Sequence, residues 1–299
     1  MDSIERMRAL ALDFCPTTGR YQTVVPRLAL VRADGPSLPI PSIYQPLLCL
    51  GLNRRKRVSL GDLSFDLGPG RMLVAGVDLP VTSVILDAAP RDPYLTLVLT
   101  LDPGLLSSLL LDMEGKGGEG DPGPGLTIST ASPSILEACA RLLTLTETPA
   151  DIPILAPLVE REILYRVLGT EQGAFLRRVA RGDGALARVG RAIDRLRKEY
   201  RETPRMEDLA RVAGMSPSSF HRHFKAVTTM SPLAFLKRIR LQEARRLLVS
   251  GEGTAALVAH AVGYESPSQF SREYARLFGA PPSRDAARLR LSGDSENAA

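Results

Sequence analysis

The sequence predicts an α+β chain, with an N-terminal β barrel and helical dimerisation element followed by an all-α half that carries two helix-turn-helix units. Three observations predict it. Short β-type runs fill the stretch from Tyr44 to Leu101, amphipathic helical repeats begin near Ser134, and a motif is doubled within the last hundred residues. A chain of 299 residues has room for two units, each with a core of its own.

Composition narrows the classes. The chain is 44% hydrophobic and 24% charged, and no apolar run approaches the roughly 18 residues of a membrane span. Its first twenty residues mix acids and arginines instead of a basic start and an apolar block, so no secretory signal is read, the expected location is the cytoplasm, and no membrane is expected as a partner. Cys15, Cys49 and Cys139 are odd in number and widely spaced, which argues for buried reduced thiols over a disulfide framework or zinc site; redox sensing by Cys49 is the other reading. The net charge of +5 is unevenly shared: Val189 to Arg290 holds nineteen Lys and Arg against ten Asp and Glu, whereas the remainder holds nineteen against twenty-three. A polyanion partner is therefore expected for the C-terminal third.

In chain order, Ile4, Met7, Ala11 and Leu12 suit a short first helix. Strands are expected at Leu47 to Leu52, Arg57 to Leu60, Leu63 to Leu67, Met72 to Val77, Val81 to Leu86 and Tyr94 to Leu101, separated by turns such as Leu60-Gly61-Asp62 and Gly68-Pro69-Gly70. Their close spacing suggests an antiparallel barrel or sandwich. Gly115 to Gly125 reads as a flexible loop. Helices at Ser134 to Leu145 and Leu155 to Leu168 follow, a natural surface for homodimerisation or a lid within one subunit. The expected organisation is an effector and dimerisation unit at 1–180, a linker at 181–188, a helical DNA reader at 189–290 and a flexible tail at 291–299.

The doubled motif is the clearest signal. Ser216-Pro217-Ser218-Ser219-Phe220 recurs as Ser266-Pro267-Ser268-Gln269-Phe270, with Arg222 matching Arg272 and Phe224 matching Tyr274. Upstream, Leu209-Ala210 and Gly214 match Val258-Ala259 and Gly263. The small alanine permits close helix approach and the glycine supplies the positive φ of a tight turn. Ser216 and Ser266 are N-caps followed by proline at the first helical position, and Gln269 is placed to complete a capping box. The two units span Met206 to Val227 and Thr254 to Phe278. Phe220, Phe224 and Val227 face inward in the first recognition helix, and Phe270, Tyr274, Leu277 and Phe278 in the second. The opposite faces carry Ser218, Ser219, His221, Arg222 and Lys225, then Ser268, Gln269, Ser271, Arg272 and Arg276. Arginine suits guanine, glutamine suits adenine, and serine or lysine takes phosphates. A helix from Pro232 to Val249, roughly 27 Å long, connects the units and holds them near one DNA turn apart, about 34 Å. Arg240 is expected to be structural or to touch the DNA backbone.

This arrangement closely resembles the DNA-binding domain of the AraC/XylS family from about Ala187 to Arg290. The signature runs AHAVGYESPSQFSREYARLFG from Ala259 to Gly279, followed by Ala280-Pro281-Pro282-Ser283-Arg284, and Arg240 to Leu248 matches the connecting helix. The resemblance implies a sequence-specific transcriptional regulator, commonly an activator, with double-stranded promoter DNA and RNA polymerase as partners. It implies base contacts from Ser218, His221, Arg222, Ser268, Gln269 and Arg272, but not from Pro217 and Pro267, where many relatives have polar residues. IYQPLLCL from Ile43, KRVSLGD, DLPV, PYLTLVLTLDP and the run Arg161 to Leu168 resemble the cupin-like N-terminal domain of one AraC subgroup, which binds an effector or mediates dimerisation. A structural DNA-bending protein whose N-terminal half only dimerises is the rival reading.

An enzyme is not expected. Cupin enzymes hold metal through histidines, and His221, His223 and His260 all lie in the C-terminal half; no metal or cofactor is called for. The basic run Arg54-Arg55-Lys56-Arg57, with Asp62 and Ser64 downstream, is the candidate effector site. Crowded cations need solvent or anions, and arginine grips phosphate bidentately. The layout is loosely similar to PilZ domains, which makes cyclic di-GMP one candidate, beside another small anion or a solvated basic face.

Overall fold

Alternation of apolar and polar residues in the first half builds strands that bury one side, and an all-apolar run builds a strand covered on both. The computed structural model describes residues 2–113, 123–180 and 184–292. Helix α1 (Ser3–Phe14) leads into strands β1 (Gly19–Gln22), β2 (Leu28–Ala33), β3 (Ile40–Tyr44), β4 (Leu47–Asn53), β5 (Arg55–Leu60), β6 (Leu63–Leu67), β7 (Arg71–Ala75), β8 (Leu79–Asp87) and β9 (Tyr94–Thr100). Helix α2 (Pro103–Asp112), strand β10 (Leu126–Thr130) and helices α3 (Pro133–Thr144), α4 (Ile152–Leu168) and α5 (Glu171–Ala180) complete this half. The strands form two antiparallel sheets, ordered β1-β2-β9-β4-β7-β10 and β3-β8-β5-β6. Central β4 is buried along its whole length, whereas β5 alternates between the interior and solvent, as a strand with one covered face must.

The barrel with a helical element is as expected, with more elements than the sequence showed. Strands β1, β2, β3 and β10 and helices α2 and α5 went unread because each is short or lacks a clean period. The tight hairpin does follow its turn signal: Leu60 pairs with Leu63 across Gly61 and Asp62, and Gly61 has φ +57°. The glycine-rich stretch at 115–122, the linker residues 181–183 and the tail residues 293–299 lie outside the described residues.

The second half is helical: α6 (Ala185–Lys198), α7 (Met206–Val212), α8 (Pro217–Thr228), α9 (Pro232–Val249), α10 (Ala255–Ala261), α11 (Pro267–Phe278) and α12 (Pro282–Ser292). Helix α6 begins at Ala185, so residues 185–188 of the expected linker are helix. Among the described residues, no single helix is long and apolar enough to cross a membrane.

The buried apolar residues do not divide at the boundary between the two halves. One hydrophobic cluster runs from Met7 through the barrel to Phe220, Phe224, Val227 and Phe235, whereas the second helix-turn-helix has its own cluster around Val258, Phe270, Tyr274 and Phe278. The first reader therefore shares its core with the barrel. Polar contacts reinforce the junction: Gly125 N–H donates to the Val227 carbonyl at 2.8 Å, and Arg197 of α6 pairs with buried Asp78. A Cβ on Gly61 would lie 2.3 Å from Thr229 Oγ1, so the hairpin tip and the end of α8 touch only because position 61 has no side chain.

Candidate DNA-binding and effector surfaces

Each recognition helix starts on a serine cap. Ser216 Oγ accepts from Ser219 N–H at 3.4 Å and Ser266 Oγ from Gln269 N–H at 3.3 Å, with proline at the first helical position in both. Gly214 and Gly263 take φ +63° and +87°. At Gly263 a Cβ would stand 2.3 Å from the Arg201 carbonyl. The capping box is only half made, because Gln269 Nε2 donates to Glu273 at 3.0 Å instead of turning back to Ser266.

Inward rings fix both helices. Phe224 meets Phe220 and Phe235 edge-on, each with centroids 5.4 Å apart, and Phe270 meets Tyr264 at 5.4 Å and Tyr274 at 5.5 Å. Ser218, His221, Arg222 and Lys225 are consequently exposed on α8, as are Ser268, Gln269, Arg272 and Arg276 on α11. Ser219 and Ser271 are half-buried, and Ser219 Oγ lies 3.2 Å from His223 Nδ1. Arg272 does not pair with neighbouring Glu273. That carboxylate is taken by Lys237 at 2.7 Å, Tyr264 at 2.8 Å and Gln269. Burial works against the Glu273 carboxylate, but these hydrogen bonds outweigh it and hold it below the ordinary glutamate value.

Two buried arginines carry structure. Arg240 donates to the Tyr200 carbonyl at 2.7 Å, the Arg201 carbonyl at 3.2 Å and Thr203 Oγ1 at 3.1 Å, which locks the connecting helix against the loop after α6. Arg245 of α9 pairs with fully buried Asp285 of α12 at 2.9 Å, Tyr274 donates to the same carboxylate at 3.0 Å, and the guanidinium lies 4.5 Å from the Phe278 ring. Sequence reading missed this triad. Its only signal was an acid at position 285 beside the Pro281-Pro282 turn, and partners forty residues apart leave no local pattern.

The basic run of the first half is not brought together as one site. Register shifts at Gly51/Asn53 and Arg55/Lys56, with Arg54 at φ +58°, send its members different ways. Arg54 pairs with Asp92, Arg55 with Asp87 at 2.9 Å and Arg57 with Asp66 at 2.6 Å, all near the surface. The Arg57 hydrogen bond holds Asp66 below the usual carboxylate range. Asp87 is also lowered: desolvation opposes ionisation, but hydrogen bonds from Arg55 prevail. Asp62 occupies the hairpin tip, about 17 Å along the strand from Arg55 at roughly 3.3 Å per residue, and Ser64 Oγ lies 2.9 Å from Ser59 Oγ. Lys56 alone points inward. Alternation along β5 and the acids that face its arginines thus set Arg54, Arg55, Lys56, Arg57, Asp62 and Ser64 in different surroundings.

Cys15, Cys49 and Cys139 are free and buried. Burial pushes the Cys139 thiol up to about 12 and, against a lowering influence from Arg32, the Cys15 thiol up to about 11. Among the described residues, no three His, Cys, Asp or Glu side chains gather to hold a metal ion.

Known proteins have the same two-part organisation. Residues 24–175, just over half the chain, match the family described as AraC-type transcriptional regulator N-terminus, and residues 209–288 match a helix-turn-helix domain. The virulence regulon transcriptional activator VirF of Yersinia enterocolitica is 28% identical over 232 residues, covering 74% of this chain and 81% of its own. The HTH-type transcriptional regulator ExsA of Pseudomonas aeruginosa is 30% identical over 168 residues, covering 55% of this chain and 58% of its own. The crystal structure of ToxT from Vibrio cholerae superposes with a TM-score of 0.58 at 11% identity, over 88% of this chain and 97% of that one; the likeness is one of fold. The chain belongs to the AraC family of DNA-binding, helix-turn-helix transcriptional regulators.

Proposed function

We propose that the protein activates transcription from particular promoters as an effector-controlled homodimer, with residues 1–180 sensing, 189–290 reading DNA, 181–188 linking them and 291–299 a tail. The observation that carries this reading is the matched pair of exposed arginines, Arg222 and Arg272, each on a capped helix whose other face is buried. Ser218, Ser219, His221 and Lys225 on α8, and Ser268, Gln269, Ser271 and Arg276 on α11, supply the surrounding polar surface for bases and phosphates. Gln269, held by Glu273, is preset in one orientation. Activation entails a contact with RNA polymerase.

The shared core supports effector control. A change between the sheets has a direct mechanical route to α8 through Val227 and to α6 through Asp78, whereas the apolar face of α11 packs in a second cluster. The aspartates facing Arg54, Arg55 and Arg57 argue against cyclic di-GMP held by those three side chains. An effector within the N-terminal half is supported by the fold shared with ToxT, whose structure is known with unsaturated fatty acid bound.

Dimerisation is supported by α4, which leaves Ile154, Leu155, Leu158 and Tyr165 exposed beside a groove of ≈ 400 Å³ lined in part by Arg6, Leu145 and Val159. Footprinting on the regulator's own upstream region, with and without a cell extract of small molecules, tests the whole reading. Protection of discrete sites that changes with the extract is expected. Uniform protection of unrelated sequences at moderate salt would instead favour the DNA-bending protein.

A further inference from the structure

Glu273 stands one turn after Gln269 on α11, and three elements hold it. Its Oε1 accepts from Lys237 Nζ of α9 at 2.7 Å and from Gln269 Nε2 at 3.0 Å, and its Oε2 accepts from the Tyr264 hydroxyl at 2.8 Å. Tyr264 is itself buried in the turn before α11, with its ring edge-on to Phe270 at 5.4 Å between centroids. Burial opposes ionisation of Glu273, but the hydrogen bonds keep it below the ordinary glutamate value. It is therefore a carboxylate, an acceptor only, in a fixed place.

An acid beside a face that meets a polyanion weakens binding to every sequence alike. The amide that Glu273 holds gives its presence a purpose. A free glutamine amide rotates to exchange its donor and acceptor ends, and its long side chain loses rotamer freedom when a partner fixes it. Beside Glu273 only the donor end can face the carboxylate, so the order of the two ends is set before DNA arrives. One N–H is engaged by Glu273, and the other N–H and Oε1 remain for a partner on an exposed side chain. In the major groove adenine shows an acceptor at N7 and a donor at N6, which that remaining pair matches, whereas guanine shows two acceptors and does not.

The first reader repeats the placement with different chemistry. Ser219 and His223 occupy the positions of Gln269 and Glu273, and Ser219 Oγ lies 3.2 Å from His223 Nδ1. Imidazole Nδ1 donates or accepts according to its protonation, and a hydroxyl does both. That pair leaves the order of donor and acceptor open; the pair on α11 closes it.

We propose that Glu273 is a positioning residue for base selection: braced by Lys237 and Tyr264, it fixes the amide of Gln269 so that α11 selects adenine at one operator position and rejects guanine there. Glu273 itself touches no base and acts through Gln269. The proposal rests on the promoter-reading function, with Gln269 in the major groove, and names the residue that sets the specificity of that contact.

The test is selection of sites by the full-length protein from DNA duplexes with a randomised centre, followed by affinity measurements on single-base variants of the selected site. The wild-type protein should prefer adenine over guanine at one position by about fivefold or more, and Gln269→Ala should erase that preference. Glu273→Ala should cut it to about twofold or less without weakening binding to mismatched sites, because a negative charge leaves the neighbourhood of the DNA. Glu273→Gln, which keeps an oxygen for Lys237 and Gln269, should restore the preference. In the Gln269→Ala background, Glu273→Ala should alter no base preference, since its effect passes through Gln269.

An adenine preference left intact by Glu273→Ala overturns the proposal. So does an altered preference in the Gln269→Ala background, which would make Glu273 a direct base contact, or a uniform loss at all sites, which would make its role structural. If Glu273→Ala does not fold, Glu273→Leu combined with Lys237→Met and Tyr264→Phe decides, since it removes the carboxylate together with the groups that need it; an intact preference there overturns the proposal. Base preferences at other positions with none dependent on Gln269 overturn this proposal alone. A wild-type protein without base preference anywhere overturns promoter reading as well.

Discussion

Arg197 reaches from α6 of the DNA-binding half to Asp78, whose carboxylate is 6% exposed at the edge of the barrel. Burial raises the Asp78 pKa above its ordinary value, and Arg197 pulls it back only in part. The junction between the barrel and the helical half therefore holds a charge that costs free energy to keep ionised.

A pH dependence follows from that sign. A carboxylate whose folded pKa is raised takes up a proton more readily in the folded state, so its contribution improves as pH falls through the folded pKa towards the unfolded value of 3.8. Relative to Asp78→Asn, the wild-type protein should gain thermal stability as pH is lowered from 7 to 4. Melting curves of the two proteins across that range check it, and a gap that widens in the other direction would refute the assignment.

Arg222→Ala and Arg272→Ala should each weaken specific DNA binding by about 1 to 3 kcal/mol, with the loss confined to particular base pairs. Binding assays on a library of single-base operator variants check this. A loss spread evenly over all sequences, with a shallower salt dependence, would reassign that arginine to phosphate. The two readers should not be interchangeable, because His221 and Lys225 stand where the repeat has Ser271 and Ala275.

Removing the Asp285 carboxylate should unfold the second reader selectively. Asp285→Ala leaves Arg245 buried without its partner, a loss of about 3 to 5 kcal/mol. Tyr274→Phe, which removes one hydrogen bond to the same group, should cost only about 1 kcal/mol. Because α10 to α12 pack in a cluster of their own with the C-terminal half of α9, urea titration monitored by hydrogen exchange should show α10 to α12 opening before the barrel in the alanine variant.

Leu158→Arg should yield a monomer with an intact fold, since the side chain is exposed in one chain and can be buried only by a second. Analytical ultracentrifugation checks the mass, and circular dichroism checks the fold. A dimer that survives this change would place the interface elsewhere.

Legibility followed the range of the interactions. The two helix-turn-helix units could be read because caps, turn glycines and inward rings are local: Ser216, Gly214 and Phe220 act within a few residues of one another, and their recurrence at Ser266, Gly263 and Phe270 marks the same device twice. The outward face carrying Arg222 and Arg272 follows from that period alone. Strands β4 to β9 were legible for the same reason, through apolar runs between turn signals.

What only the tertiary structure decided is where charges find partners. Four adjacent cations at Arg54 to Arg57 read as one basic patch, yet strand alternation turns Lys56 inward while Asp92, Asp87 and Asp66, from 9 to 38 residues away, neutralise the arginines. The same holds for Arg245 with Asp285 and for Arg197 with Asp78, pairs that join segments 40 and 119 residues apart. A residue's place in a local period is written in its neighbours, and the sequence alone therefore determined the outward faces of α8 and α11. The electrostatic environment of a buried charge depends on which distant segments pack around it, and only the folded chain brings Lys56 against the rings of Tyr44 and Tyr94.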